Sequence, residues 1–296
     1  MRRSNNQVSK LALGTVQFGL PYGVANQKGQ VSSSVAKSML KLAAENGVDT
    51  LDTAIAYGES ESRLGDVGTQ GFKLVTKLPA IPDTCSDIHA WINEQISSSL
   101  VKLGVGSVYG LLLHRSEQLL GTYGEEIYQA LDGLKKTELV EKIGISIYSP
   151  SELDALIPRY RLDLVQAPFN LIDRRLYLSG WMQKLKQDEV EIHTRSAFLQ
   201  GLLLMPRSAI PAKFAPWKAL WDKWHEWLSC HSVTAVKGSL SYPLSFPEID
   251  RVVVGADSKR QLEEIIDAAC GVVPDDLPDL SCEDVNLINP ASWPTL

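Results

Sequence analysis

Short runs of β-branched and leucine residues alternate with longer stretches of helical periodicity along almost the whole chain. Runs at Leu11–Phe18, Thr50–Ala54, Lys73–Leu78, Ser107–His114, Lys142–Ser146, Leu162–Ala167, Glu191–Ala197 and Asp250–Val254 predict eight strands. Between them, helical patterns are expected at Ser33–Asn46, Asp87–Leu103, Glu125–Leu139, Glu152–Ile157, Tyr177–Gln187 and Gln261–Ala269. Ala36, Met39, Leu40 and Ala43 recur at i, i+3, i+4 and i+7, and Gly47 stops that helix. Strands this apolar need cover on both faces, which points to a parallel sheet wrapped by helices. Eight such units with no sign of a reversal in strand order predict a closed (β/α)8 TIM barrel occupying residues 1–296 as one domain.

Two helix starts are legible. Ser149-Pro150-Ser151-Glu152 carries the S-x-x-E capping box with proline at the first helical position, and Ser258 with Gln261 gives the S-x-x-Q form after the eighth strand. No G-x-G-x-x-G follows a strand, so the open dinucleotide-binding sheet loses its main sequence support. Residues 206–217, with three prolines, read as an inserted loop. Trp217, Trp221, Trp224 and Trp227 then fall near one helical face. They form either an apolar stripe on the barrel or, for one or two rings, a wall of the substrate pocket. From about residue 272 the chain is rich in aspartate and proline and is expected to be an irregular tail.

The chain has 296 residues, 29 basic against 35 acidic, for a net charge of −6. That balance, with no Lys/Arg block, gives no footprint for nucleic acid or an anionic membrane. The longest apolar runs fall far short of the roughly 20 residues a membrane span needs. Two N-terminal arginines have no apolar segment behind them, so no signal peptide is read. Four scattered cysteines without metal-ligand spacing suit reduced thiols and a cytoplasmic location.

In a barrel, chemistry collects at the C-terminal strand ends. There the order gives Asp52 after strand two, Tyr57 in the next loop, Lys77 ending strand three and His114 ending strand four. Each alone has an ordinary structural explanation as a cap, ion pair or satisfied polar group. Together, three adjacent strand ends aim an acid, a phenol, an amine and an imidazole at one side of the mouth. A nearby ammonium is expected to favour the phenolate and lower the phenol pKa, with the carboxylate holding the ammonium in place. Such a set delivers a proton to a carbonyl oxygen as charge develops there. It contains no nucleophile, so another group must supply the electrons.

The segments LGTVQFG (13–19), DTAIAYGESESRLG (52–65), TK (76–77), LLLHR (111–115), IGIS (143–146), VQAPFN (165–170), FLQGLL (198–203) and VGADSKRQLEE (254–264) resemble the aldo-keto reductase family, in the right order over essentially the whole chain. The resemblance implies NAD(P)H-dependent carbonyl reduction, with Tyr57 as general acid, Lys77 and Asp52 tuning it, and His114 orienting the carbonyl. It places Ser146 and Gln166 on the nicotinamide carboxamide, although Ile147 stands where an asparagine is common. Ser196, Phe198, Gln200, Gly201 and Leu202 match the segment over the pyrophosphate. Arg195 replaces a frequent tyrosine and is expected to stack on the nicotinamide or to meet an anionic substrate group. Gly255, Ala256, Asp257, Ser258, Arg260, Gln261 and Glu264 match the adenosine end, with Ile265 in place of a frequent asparagine. A helix start at Ser258 beside Lys259 and Arg260 favours NADP(H) over NAD(H), against the opposing charge of Asp257.

Substrate choice is expected from Gln17, Phe18, Tyr22, Asn170 and Arg195, which suit a small polar or sugar-derived carbonyl; the PYGVANQKGQ extension at 21–30 points the same way by analogy. No metal is called for, and the chain reads as a monomer or weak homo-oligomer. The alternatives are a nicotinamide-sensing regulatory subunit with little turnover, and a metal-dependent barrel hydrolase. The intact tetrad argues against the first, and the scarcity of strand-end ligands beyond His114 and His193 against the second.

Overall fold

Eight parallel strands close on one another in chain order, the last pairing with the first (Leu11 opposite Val252, Gly14 opposite Gly255). The computed structural model describes residues 7–23, 29–271, 274 and 276–295. The strands are β1 (Leu11–Gly14), β2 (Thr50–Asp52), β3 (Lys73–Leu78), β4 (Val108–Leu113), β5 (Val140–Ser146), β6 (Leu164–Pro168), β7 (Glu191–Arg195) and β8 (Arg251–Gly255). The helices are α1 (Val16–Gly19), α2 (Ser33–Glu45), α3 (Ser60–Val67), α4 (Ile88–Leu103), α5 (Gly124–Lys136), α6 (Ser151–Leu156), α7 (Arg175–Leu178), α8 (Trp181–Gln187), α9 (Lys218–His231), α10 (Ala235–Leu244), α11 (Lys259–Ala269) and α12 (Val285–Ile288). The expected (β/α)8 barrel is therefore observed.

The main core lies between strands and helices. Helix α2 buries the Ala36, Met39, Leu40 and Ala43 face read from its spacing, with Ser32 accepting from the Val35 amide at its start. Helix α4 is capped by Asp87, which accepts from Ala90 N–H, and is stopped by the left-handed Gly104. Each fully buried Leu or Ile contributes roughly 1.5–3 kcal/mol, against about 1 kcal/mol for a cap, so packing dominates and caps set the ends. Inside the barrel, Val75, Leu112 and Leu164 pack together beneath the mouth.

Three expectations are corrected and one pair of alternatives is decided. Strand β1 ends at Gly14, not Phe18, and the chain coils into α1, which turns Gln17 toward the mouth and Phe18 into the core. The 206–217 stretch is not a plain loop: Pro206 and Pro211 each precede a 3-10 turn, at Arg207–Ala209 and Ala212–Trp217. Of the two readings of the tryptophans, the apolar stripe is the one observed for Trp221, Trp224 and Trp227. They form a second apolar core with Leu171, Leu199 and Leu203, and their indole N–H groups donate to the carbonyls of Phe214, Leu203 and Asp276, each at 3.0 Å. The tail is not irregular throughout, because α12 and a 3-10 turn at Pro290–Thr295 bring Leu287, Ile288 and Trp293 onto that core. At α6 half of the capping box forms: Glu152 accepts from Ser149 N–H at 2.7 Å, while Ser149 Oγ meets Ser151 Oγ at 2.8 Å.

Candidate active site

The loop carrying Tyr57 is held by buried hydroxyls. Ser60 Oγ donates to the Thr15 carbonyl at 2.8 Å, and the Thr15 and Thr53 hydroxyls lie 2.9 and 3.1 Å from the same Ser60 oxygen. Thr15 amide and hydroxyl both donate to the Asp52 carbonyl. This ties the ends of β1 and β2 to the start of α3. Gly19 completes the join, since a Cβ there would overlap the Tyr57 carbonyl oxygen, and a Cβ on Gly58 would come within 2.8 Å of the Gly19 oxygen.

Lys77 is buried, and its ammonium donates to Asp52 Oδ1 at 2.7 Å, Asp52 Oδ2 at 2.8 Å and the Thr53 carbonyl at 2.8 Å. All three N–H groups are thus committed, and Nζ stands 5.3 Å from the centre of the Tyr57 ring. Gln166 Nε2 donates to Asp52 Oδ2 at 2.7 Å, a contact that sequence reasoning missed. It leaves Gln166 Oε1 as the acceptor beside Ser146, its register neighbour. The His114 ring stands edge-on to Tyr57, with centroids 5.8 Å apart.

The electrostatics reverse one expectation. Burial pushes the Tyr57 hydroxyl well above the ordinary phenol range, the Asp52 charge pushes the same way, and Arg195 opposes both. The phenol is therefore held protonated rather than poised as phenolate, by burial first and the Asp52 charge second. Burial also lowers Lys77, against the pull of Asp52. His114 is lowered to about 4 by burial, then by Lys77 and Arg195, so its imidazole is neutral at physiological pH.

These groups line a cavity of about 640 Å³ at the C-terminal strand ends. It brings together Asp52, Tyr57, Lys77 and His114 with Ser146, Gln166, Arg195, Ser196, Phe198, Gln200 and Gly201, and with Gly255, Asp257, Gln261 and Glu264; Gln17 and Tyr22 complete one wall. Ser196, Leu199 and Gln200 all hold positive φ (64°, 47° and 52°), a strained conformation concentrated in the loop after β7.

Other expected residues lie outside the cavity. Phe18, Leu202 and Ala256 are buried in apolar cores. Asn170 is fully buried: its Oδ1 accepts from Ile172 and Asp173 N–H, and its Nδ2 donates to the Ser196 carbonyl. It shapes the turn and tethers the strained loop instead of meeting substrate. Ser258 caps α11 by accepting from Gln261 N–H. Arg260 pairs with Glu264 and Lys259 with Glu263 on the exposed helix surface. Neither Lys259 nor Arg260 lines the cavity, whereas Asp257 and Glu264 do, and its pair with Glu264 holds Arg260 beside the rim. Residues 24–28 of the 21–30 extension fall outside the described residues.

Tyr148, which sequence reading passed over, joins the wall and lies under the Arg195 guanidinium, 4.9 Å from ring centre to Cζ. The period of two from Ser146 was the available signal. Ile147 between them is buried, so the substitution noted there does not face the cavity. Among the described residues no three His, Cys, Asp or Glu side chains gather as a metal site, and no helix is long and apolar enough to cross a membrane.

A parallel barrel with a phenol, imidazole and buried ammonium–carboxylate pair at its mouth defines a class of enzyme built for proton transfer at a polarised oxygen. The comparisons name the family. The aldo/keto reductase family model matches residues 10–277, and the chain belongs to that family and is an oxidoreductase. It is similar to YqkF of Bacillus subtilis (strain 168), named an uncharacterized oxidoreductase, at 24% identity over 90% of this chain and 89% of the relative. It is also similar to oxidoreductase sirO of Leptosphaeria maculans, at 26% identity over 86% of each. Among solved structures, the aldo-keto reductase AKR11C1 from Bacillus halodurans in its holo form shares the fold, with a TM-score of 0.70 and 20% identity over 90% of this chain and 87% of that one.

Proposed function

We propose that the protein reduces a small polar or sugar-derived aldehyde or ketone to its alcohol with a nicotinamide dinucleotide, the proton coming from Tyr57. The observation that carries this reading is the convergence of Tyr57, His114, Lys77 and Asp52 on one wall of one cavity, with the phenol held protonated. The donor set fits the dinucleotide. Ser146 and the Oε1 of Gln166 offer polar atoms side by side, Gln17 Oε1 is buried at the cavity wall without a partner, and the N-terminus of α11 borders the cavity at Asp257 and Gln261. When bound, the reduced nicotinamide supplies hydride to the carbonyl carbon.

The chain's own part is the proton and the placement of the oxygen. His114, neutral, donates a hydrogen bond to the carbonyl oxygen and sets its position. Tyr57 then gives its proton to that oxygen as charge builds on it. The phenolate left behind lies within the field of Lys77 and Arg195, both fixed before the reaction begins. Asp52 keeps Lys77 charged and still, and Gln166 braces Asp52.

Tyr57→Phe tests the assignment. It should lower kcat for carbonyl reduction by about 10²-fold or more, the scale of lost general acid catalysis, while NADPH and NADH quench tryptophan fluorescence as in the wild type. Retained turnover would remove Tyr57 from the role. Loss of cofactor binding in the wild type, for both dinucleotides at millimolar concentration, would end the oxidoreductase mechanism. All four cysteines are unpaired, which supports the cytoplasmic reading.

A further inference from the structure

We infer that Arg195 is the recognition group for an anionic substrate, a carbonyl compound carrying a carboxylate or phosphate group. Arg195 closes β7, four strands from the Lys77 strand in the eight-stranded ring, so it faces the catalytic groups across the mouth. Its guanidinium is oriented by neighbours that carry no negative charge. Nη2 donates to the Ile147 carbonyl at 3.0 Å, Nη1 to Ser196 Oγ at 3.4 Å, and one side of the group rests on the Tyr148 ring. A guanidinium has five N–H donors, so three are left without a protein partner among the described residues. No carboxylate of the described residues pairs with it within 4.0 Å. The Asp52 carboxylate in the same cavity is already committed to Lys77 and Gln166.

A half-buried cation without a counter-ion is unusual, because desolvation costs energy that a partner ordinarily offsets. Here it stands close enough to be felt by Tyr57, Lys77 and His114. Its free fork matches the planar, two-oxygen edge of a carboxylate or the oxygens of a phosphate. In the same cavity, the Tyr22 hydroxyl accepts from Gln200 Nε2 at 3.0 Å and adds a polar rim suited to a hydroxylated carbon chain. The kinetic part of this inference rests on the reductase reading; the charge preference in binding does not.

The test compares 4-carboxybenzaldehyde with 4-formylbenzamide, which match in shape and differ by one charge. In the wild type, kcat/KM should favour the acid by about tenfold or more at low ionic strength. Arg195→Gln should bring that ratio near one, and Arg195→Lys should keep part of it. Calorimetric titration of both aldehydes, without cofactor and with NADP⁺, supplies the second readout: tighter binding of the acid in the wild type, lost in Arg195→Gln. A wild-type ratio near one overturns the inference while leaving the reductase standing, and needs no variant to fold. Weakened cofactor binding in Arg195→Gln with an unchanged ratio also overturns it, in favour of a guanidinium that serves the nicotinamide. Selective binding of the acid with no reduction by either dinucleotide keeps the anion site and ends the reductase reading.

Discussion

Tyr57 and His114 sit within one aromatic contact of each other and are shifted in opposite directions, which sets the pH behaviour of the site. Burial keeps the phenol protonated beyond its ordinary value, and burial together with Lys77 and Arg195 lowers the imidazole to about 4. Both groups hold one protonation state across the intervening range. Carbonyl reduction should therefore show a kcat/KM plateau from about pH 5 to about pH 10, measured with one aldehyde under saturating cofactor. A midpoint near pH 7 would place the essential proton on another group. Asp52, Lys77 and His114 were readable because each closes an apolar run, and strand ends converge in a barrel; Tyr57 was read from the loop that follows Asp52. The shift of Tyr57 was not readable, because it comes first from burial and then from the Asp52 charge, and both appear only once the barrel has closed around the loop. The same holds for Asn170 and Phe18: a polar or aromatic residue just past a strand looks the same in sequence whether it points in or out.

At the scale of elements, periodicity identified the helices that pack on the barrel and misjudged those that pack on one another. Helix α9 was visible as a tryptophan stripe, but its partner surface comes from Leu171 and Leu199 and from the tail more than fifty residues later. No local pattern announces such a partner. Trp224 is fully buried there, stacked at 5.8 Å on Trp227, and donates to the Leu203 carbonyl. Trp224→Ala should cost about 3–5 kcal/mol in urea unfolding, with cofactor affinity in the folded fraction within about twofold of wild type, since no tryptophan lines the cavity. A large loss of affinity at full stability would return the tryptophans to the pocket wall.

For the molecule as a whole, the strand starts hold a second polar cluster that takes no part in the cavity. The Glu191 carboxylate accepts from the Tyr109 hydroxyl at 2.6 Å, from His193 Nε2 at 2.7 Å and from Lys142. Burial alone would raise this carboxyl, yet His193, Lys142 and Tyr109 together hold it far below the carboxylate range. A folded value below the unfolded one, about 4.3, means stabilisation present above that pH and lost as pH falls toward the folded value. Glu191→Gln should destabilise by about 3 kcal/mol at pH 7, with the gap to wild type narrowing at pH 3 and kcat unchanged. A gap that stays constant between the two would show that the charge contributes nothing. Barrels separate the two ends in this way, with stability at the strand starts and chemistry at the strand ends. The eight-fold alternation made the barrel legible; the cluster was not, because Tyr109, Lys142 and Glu191 meet only when the ring closes.

The contact of Gly19 with the Tyr57 loop also marks where the protein can be re-engineered. The segment that leaves β1 is stapled at its root: the Val31 amide donates to the Gln17 carbonyl at 2.9 Å, and Gln30 Nε2 to the Phe18 carbonyl at 2.9 Å. Gly14 to Gly19 belongs to the frame, because a Cβ at Gly19 would overlap the Tyr57 carbonyl oxygen and push the Tyr57 loop from its seat. A library that diversifies residues 20–29 and leaves the root untouched would explore new specificities on an unaltered catalytic frame.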